Sequence, residues 1–264
     1  MTIILRWSSA KTVALALTCA LLAAGSAHTA EIKVVSSGAF TAAWLELAPE
    51  YERATHHKLV TEFGPSLGTT HNAIPLRLER GEAIDVVILA APALAEQIGH
   101  GEVRADSRVD LVQSFIGMAV KAGSPKPDIS SVDALKRTLL AAKSIAYSDS
   151  VSGVYLSTEL FPKLGIAGQI KGKTRKIGAD PVGGLVANGE VEIGFQQISE
   201  LRPVKGIDIV GPLPPGAQRV TVFSAGIPAS STQPEAARAL IRWLASPAAY
   251  LVIRKSGLEP VISK

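Results

Sequence analysis

One cysteine, Cys19, stands in 264 residues. It falls in a stretch that reads as a leader, so the mature chain is expected to hold no disulfide, no thiol nucleophile and no thiolate-bound metal. No cluster of Lys and Arg interleaved with aromatics is present, and aromatics make up only 5% of the chain, so a nucleic-acid footprint is missing. The five histidines (28, 56, 57, 71 and 100) include no i, i+4 pair flanking a carboxylate, which argues against a metal site. There is no P-loop, no dinucleotide fingerprint, no internal repeat and no low-complexity segment.

What is present begins with an export signal. Arg6 and Lys11 form a positive start, Val13 to Ala24 an apolar run, and Gly25-Ser26-Ala27 a small-residue cleavage site, placing cleavage after Ala27. The apolar run is shorter than the ~20 residues a spanning helix needs, so stable membrane insertion is not expected. Cys19 does not read as a lipoprotein cysteine, because more apolar sequence follows it. Removing the leader takes two of 27 basic residues and none of the 23 acidic ones, leaving a net charge of +2.

Beyond the leader, short β-branched runs alternate with longer amphipathic stretches. IKVV (32–35) precedes a helical pattern over 41–55, with Trp44, Leu47, Ala48 and Tyr51 on one face. KLVTEF (58–63) precedes 69–80, and DVVILA (85–90) precedes 92–100. Farther on, strands are predicted at 114–120, 144–148, 174–179, 192–197, 208–214 and 219–228, and helices at 132–143, 153–163, 181–188, 234–246 and 248–256. Such alternation predicts an α/β fold with largely parallel sheets. Pro75 interrupts the second helical pattern, so that helix is either kinked or begins anew there.

Three polar loops each follow a strand pattern and open a helical one: Ser36-Ser37-Gly38, Gly64 to Thr70, and Ser148 to Gly153. A serine- or glycine-rich strand-to-helix turn leaves N–H groups unpaired beside hydroxyls, which makes an anion site. Ser and Thr are also ordinary helix N-caps, so one such loop says little. Three together suggest a cradle for a small anion.

The order of these loops, with RLERGEAIDVVILAAP (77–92), GGLVANGEVEIGF (183–195) and PEAARALIRWLASPAA (234–249), resembles the type II periplasmic solute-binding proteins, within them the molybdate-binding group. The resemblance implies a two-lobed fold joined by two crossover strands, with the ligand clamped in the cleft between. Lobe 1 would comprise 28–113 and 219–264, and lobe 2 would comprise 114–218, with crossovers near 114–120 and 219–227. Several departures separate the chain from the molybdate group. Pro65-Ser66-Leu67-Gly68 replaces a second Ser-Ser-Gly, Asp149 to Tyr155 replaces a Val-Pro-Ala-Gly loop, and Gln196 to Glu200 replaces a late Tyr-Ser/Thr-Asp signature. Exchanging a tight oxyanion cage for Gln, Tyr and longer polar groups suggests a larger, flatter anion. Residues 107–130, 146–157 and 194–201 are similar to the bacterial aconitate isomerases built on this fold. That likeness implies an allylic proton shift on a tricarboxylate, with no cofactor.

The resemblance directs attention to particular residues. Ser37 and Gly38 form either a plain N-cap turn or a ligand contact, and Ser66, Gly68, Thr69 and Thr70 face the same choice. Arg77 shares the face of Thr69 and Thr70 if that helix is continuous, and a guanidinium suits a substrate carboxylate; Arg80 ranks below it. Asp149 and Tyr155 are the first candidates for the proton-transfer group or its partner, in a polar segment that also offers Ser150, Ser152 and Gly153. Gln196 and Gln197 suit a cleft wall, and the helix opening at Pro181 and Val182 offers inward N–H groups. Two functions stay open: a periplasmic isomerase, or a receptor delivering molybdate, tungstate or an organic anion to an ABC permease.

Overall fold

The computed structural model describes residues 29–178 and 181–262. The expected leader lies outside them. The chain forms two sheets, each covered on both faces.

The first sheet is built from β1 (Glu31–Ser36), β2 (Lys58–Phe63), β3 (Val86–Ala90), β4 (Val109–Ser114), β10 (Thr221–Gly226) and β11 (Glu259–Pro260), in the order β11-β4-β10-β3-β1-β2. β2, β1 and β3 run parallel, and β10 lies antiparallel between β3 and β4. Alternation along the strands sorts side chains to two cores. Ile32, Val34, Val86 and Ile88 pack under α1 (Gly38–Thr55) and two C-terminal helices, while Val35, Val87 and Leu89 meet Ile74, Leu78 and Leu94 on the other face. α1 turns Ala39, Phe40, Ala43, Trp44, Leu47 and Tyr51 inward, and the Trp44 indole N–H donates to Thr61 Oγ1 at 3.0 Å.

The second sheet takes β5 (Ile116–Lys121), β6 (Ile145–Ser148), β7 (Thr174–Ile177), β8 (Ile193–Gln197) and β9 (Ile207–Pro212), in the order β7-β6-β8-β5-β9. β6 is parallel to both β7 and β8, and β5 is antiparallel to β8 and β9. Helix α3 (Ala91–Gly99) covers the first sheet beside β3, and the larger core of the second joins Ile116, Met118, Ile145 and Phe195 to Leu135 and Leu139 of α4 (Val132–Ala141) and to Leu156 and Phe161.

The sheets are mixed rather than largely parallel, with four parallel and five antiparallel strand pairings among the described residues, and two expected elements are broken or shortened. The single strand predicted over 114–120 is two strands, β4 and β5, broken at Phe115, where the chain passes from one sheet to the other. The helix predicted over 69–80 is only α2 (Ile74–Glu79), preceded by turns. Pro75 stands in its first turn, where a missing N–H costs nothing, and the chain before it cannot extend the helix.

The passages between sheets are pinned by side-chain amides. Ile116 N–H donates to Gln218 Oε1 at 3.0 Å, and Gln218 Nε2 donates to Ile116 O at 2.9 Å. Ser114 Oγ donates to Gln197 Oε1 at 2.8 Å, and Gln197 Nε2 donates to Thr221 Oγ1 at 3.4 Å. The end of β8 is thereby bound to both passages. Replacing Gln218 with Ala leaves the Ile116 N–H without its partner, which costs about 1–3 kcal/mol. Urea unfolding of Gln218→Ala is expected to show a lower midpoint at unchanged slope; an unmoved midpoint would show that the amide clamp adds nothing.

Candidate functional site

The carboxyl ends of β1, β2, β6, β7 and β8 converge on one cleft of about 420 Å³ between the sheets. Such a place outside the carboxyl ends of parallel strands is where open α/β sheets bind ligands. From the first sheet it is lined by Ser37, Gly38 and Ala39 at the start of α1, by Phe63 to Pro65, and by Thr70, Asn72 and Phe223. From the second come Ser148 to Ser152 at the start of α5 (Val151–Tyr155), then Ile177, Gly178, Pro181, Gln196, Gln197 and Glu200.

The lining supplies neutral donors and no cation. Gly38 and Ala39 occupy the first turn of α1, where N–H groups have no intrahelical acceptor. The turn at Ser150 does the same for a helical run that continues from α5 through a π turn to Lys163. Hydroxyls of Ser37, Thr70, Ser148 and Ser152 and the amides of Asn72 and Gln196 add to them. Thr70 Oγ1 and Gln196 Oε1 are buried with no hydrogen-bond partner, which is costly unless a bound molecule completes them. Among the described residues no Lys or Arg lines this cleft, and no group of three or more His, Cys, Asp or Glu is placed to hold a metal ion.

Of the residues singled out from the sequence, Ser37, Gly38, Thr70, Asp149, Ser150, Ser152, Pro181, Gln196 and Gln197 line the cleft. The others serve elsewhere. Arg77 corrects the expectation of a carboxylate clamp: α2 is not continuous with Thr69 and Thr70, and the guanidinium is held by Glu62 and by Glu82, the latter at 2.7 Å, with its side chain only 11% exposed. Tyr155 also stands outside the lining. Its hydroxyl donates to Ala217 O at 2.9 Å, and Arg219, paired with Glu159, lies 4.4 Å from its ring centre. Ser66 accepts from the Ala90 N–H at 2.9 Å and ties its loop to the end of β3, while Gly68 and Thr69 are exposed outside the lining. Gly153 lets its helix press on Ser148, since a Cβ there would collide with the Ser148 carbonyl. Val182 is fully buried in the core beneath α6 (Val182–Asn188).

The residue the sequence reading passed over is Glu200. It is the third residue of α7 (Ile198–Leu201), with Gln197 as N-cap, and the Gln197 backbone and the Gln196 side chain stand beside its carboxylate. Glu200 holds the third helical position, where a capping box places its carboxylate, while the Gln197 side chain is engaged by Ser114 and Thr221 and caps nothing. Glu200 also reaches the start of α1, where any side chain at position 38 would overlap its carboxyl oxygen. Burial pushes its pKa up from 4.5 to about 7, with the Gln196 and Gln197 hydrogen bonds pulling the other way.

A family model for bacterial extracellular solute-binding proteins matches residues 32–259. The chain belongs to that family. As a solute-binding protein it is 52% identical over 241 residues to an aconitate isomerase from a Pseudomonas species, covering 91% of each chain. It is 28% identical over 247 residues to the molybdate-binding protein of Azotobacter vinelandii, covering 89% of this chain and 92% of that one. The solved periplasmic molybdate-binding protein of Azotobacter vinelandii superposes with a TM-score of 0.70 at 20% identity, over 88% of this chain and all of that one. The fold is therefore the two-lobed one of type II solute-binding proteins, and the cleft of this solute-binding protein lies between its two sheets.

Two outcomes follow from this geometry. Arg77→Ala is expected to leave anion affinity unchanged in calorimetry while lowering stability by about 1 kcal/mol, since Glu62 and Glu82 lose their shared partner; weakened binding would return Arg77 to the site. Between pH 4.5 and 7 the folded state holds a proton on Glu200 that the unfolded chain has released, so this group's contribution to stability falls as pH rises through that window. Glu200→Gln is accordingly expected to be more stable than wild type by about 2 kcal/mol at pH 8, with little difference at pH 4, in parallel urea titrations; equal curves at both pH values would show an unperturbed carboxyl.

Proposed function

We propose that the protein is an aconitate isomerase, converting trans-aconitate to cis-aconitate and back in the periplasm. The observation that carries this reading is the 52% identity to the Pseudomonas aconitate isomerase, spread over 91% of both chains. The cleft is consistent with it: about 420 Å³ is ample for a six-carbon acid, and its polar lining extends over both sheets.

A tricarboxylate brings many acceptor oxygens. In this reading one carboxylate sits on the first-turn N–H groups of Gly38 and Ala39, and another on the turn at Ser150. The hydroxyls of Ser37, Thr70, Ser148 and Ser152 and the amides of Asn72 and Gln196 take the remaining oxygens. Neutral donors fixed by the backbone need no reorganisation as charge develops, which is what an allylic carbanion-like state requires. The reaction itself is a proton shift. A base takes a proton from the methylene, the electron pair moves into the allylic system, the double bond migrates by one carbon, and the proton is returned at the former vinyl carbon. Nothing is oxidised or reduced, and the base ends as it began. Since Tyr155 is committed to Ala217, this duty falls on a carboxyl group of the cleft, Asp149 or Glu200.

In this reading a leader cleaved after Ala27 exports the protein, in keeping with its membership of an extracellular solute-binding family. Lobes of 28–113 with 219–264 and of 114–218 would close over the substrate and exclude water. Incubating the leader-free protein with trans-aconitate is expected to yield cis-aconitate by chromatography, against a heat-killed control. Trans-aconitate at 100 times its Kd is also expected to raise stability by about 2.7 kcal/mol. No turnover, together with a thermal shift given by molybdate alone, would favour a transport receptor instead.

A further inference from the structure

Resting on the aconitate reading, we propose that the Glu200 carboxylate is the catalytic base that removes the methylene proton and hands it back at the other end of the allylic system. Two carboxyl groups line the cleft, and their surroundings differ. Glu200 stands half-buried at the meeting point of α7, the end of β8 and the first turn of α1. Gly38 makes this possible, because any larger residue would take the space of the carboxyl oxygen. The turn that offers N–H groups to a substrate carboxylate thus also places a second carboxyl beside the bound molecule. Asp149 instead stands between Gly68 of one lobe and Gly178 of the other, with Oδ2 3.7 Å and 3.3 Å from where their Cβ atoms would be. That position suits a group spanning the rim better than one facing a substrate carbon.

The partners of Glu200 also fit a base and not an ion-pair member. The groups beside its carboxylate are neutral, the Gln196 amide and the Gln197 N–H, and among the described residues it enters no ion pair. Of the charged groups on the packed elements, Asp149 belongs to the facing turn. Arg202, two residues beyond Glu200, is turned to the Lys255 carbonyl at 2.8 Å. Lys255 itself pairs with Glu46 at 3.2 Å, and the first turn of α1 carries no ionisable side chain. A half-buried carboxylate left without a cation has a raised proton affinity, as a carbon acid demands. The substrate carboxylate seated at α1 raises it further, so the proton stays on Glu200 until the vinyl carbon takes it. The balance is complete: one C–H bond breaks and one forms, the double bond moves, and Glu200 returns to its ionised state.

The test uses the leader-free protein, Glu200→Gln and trans-aconitate. Gln keeps the shape and still fits a capping box, so folding is expected to survive. The expected result is a fall in kcat of about 10²–10⁴-fold, with the thermal shift given by trans-aconitate retained. Turnover within tenfold of wild type overturns the assignment and leaves the reaction standing, and so does a pattern in which Asp149→Asn is the dead variant. A wild type that does not turn over trans-aconitate overturns the isomerase reading, and the assignment with it. Should Glu200→Gln fail to fold, the wild-type pH profile decides. Corrected for ionisation of the substrate, kcat/KM should lose tenfold per unit below about pH 7; an acid limb lying below pH 5 overturns the proposal.

Discussion

The structure depends most on the buried amide lock where the chain passes between its two sheets. Gln218 closes both backbone groups of Ile116, and Gln197 joins the ends of β4 and β10. The Gln197 bonds are buried and the Gln218 pair half-buried, where an unmade partner is expensive, so they brace the passages between the two sheets. Tyr155 reinforces the same region by holding Ala217 on the return passage. The Ile198 N–H adds a bond to the Phe115 carbonyl at 2.9 Å, so the helix that carries Glu200 starts on the lock itself. A residue meant to stand at a fixed height in a cleft is well served by an anchor one turn away.

The electrostatic character of the cleft follows from what is kept out of it. Arginines are present near by, yet Arg77, Arg202 and Arg219 are each engaged outside it, by Glu62 and Glu82, by the Lys255 carbonyl and by Glu159. An anion is left to N–H groups, hydroxyls and amides, whose directions are set by backbone and packing. The same absence of cations leaves Glu200 without the partner that would hold it ionised, and burial raises its pKa into the neutral range. Stability at neutral pH is the cost of keeping such a group, a trade seen where a strained or desolvated residue does chemistry.

Much of this was legible in the sequence. The short β-branched runs IKVV and VVILA marked buried strands, and the polar turns at Ser37 and at Ser148 to Ser152 do line the cleft. Arg77 misled because face-sharing on a helix presumes an unbroken helix, and Pro75 starts a new one. Tyr155 misled because a polar segment does not say which way a hydroxyl points; here it points to a carbonyl on the return passage. Glu200 was missed for the opposite reason. A Glu three residues after an N-cap is so ordinary a capping signal that its second neighbour, the bare Cα of Gly38 some 160 residues earlier, is visible only in the fold.

The most direct measurement is a crystal structure of Glu200→Gln holding trans-aconitate. The account predicts the substrate in the cleft with one carboxylate on the N–H groups of Gly38 and Ala39. The side-chain terminus at position 200 should lie about 3–3.5 Å from both the methylene and the vinyl carbon, the separation from which such a transfer proceeds. A substrate seated with position 200 remote from either carbon, and the Asp149 carboxylate over them instead, would contradict it.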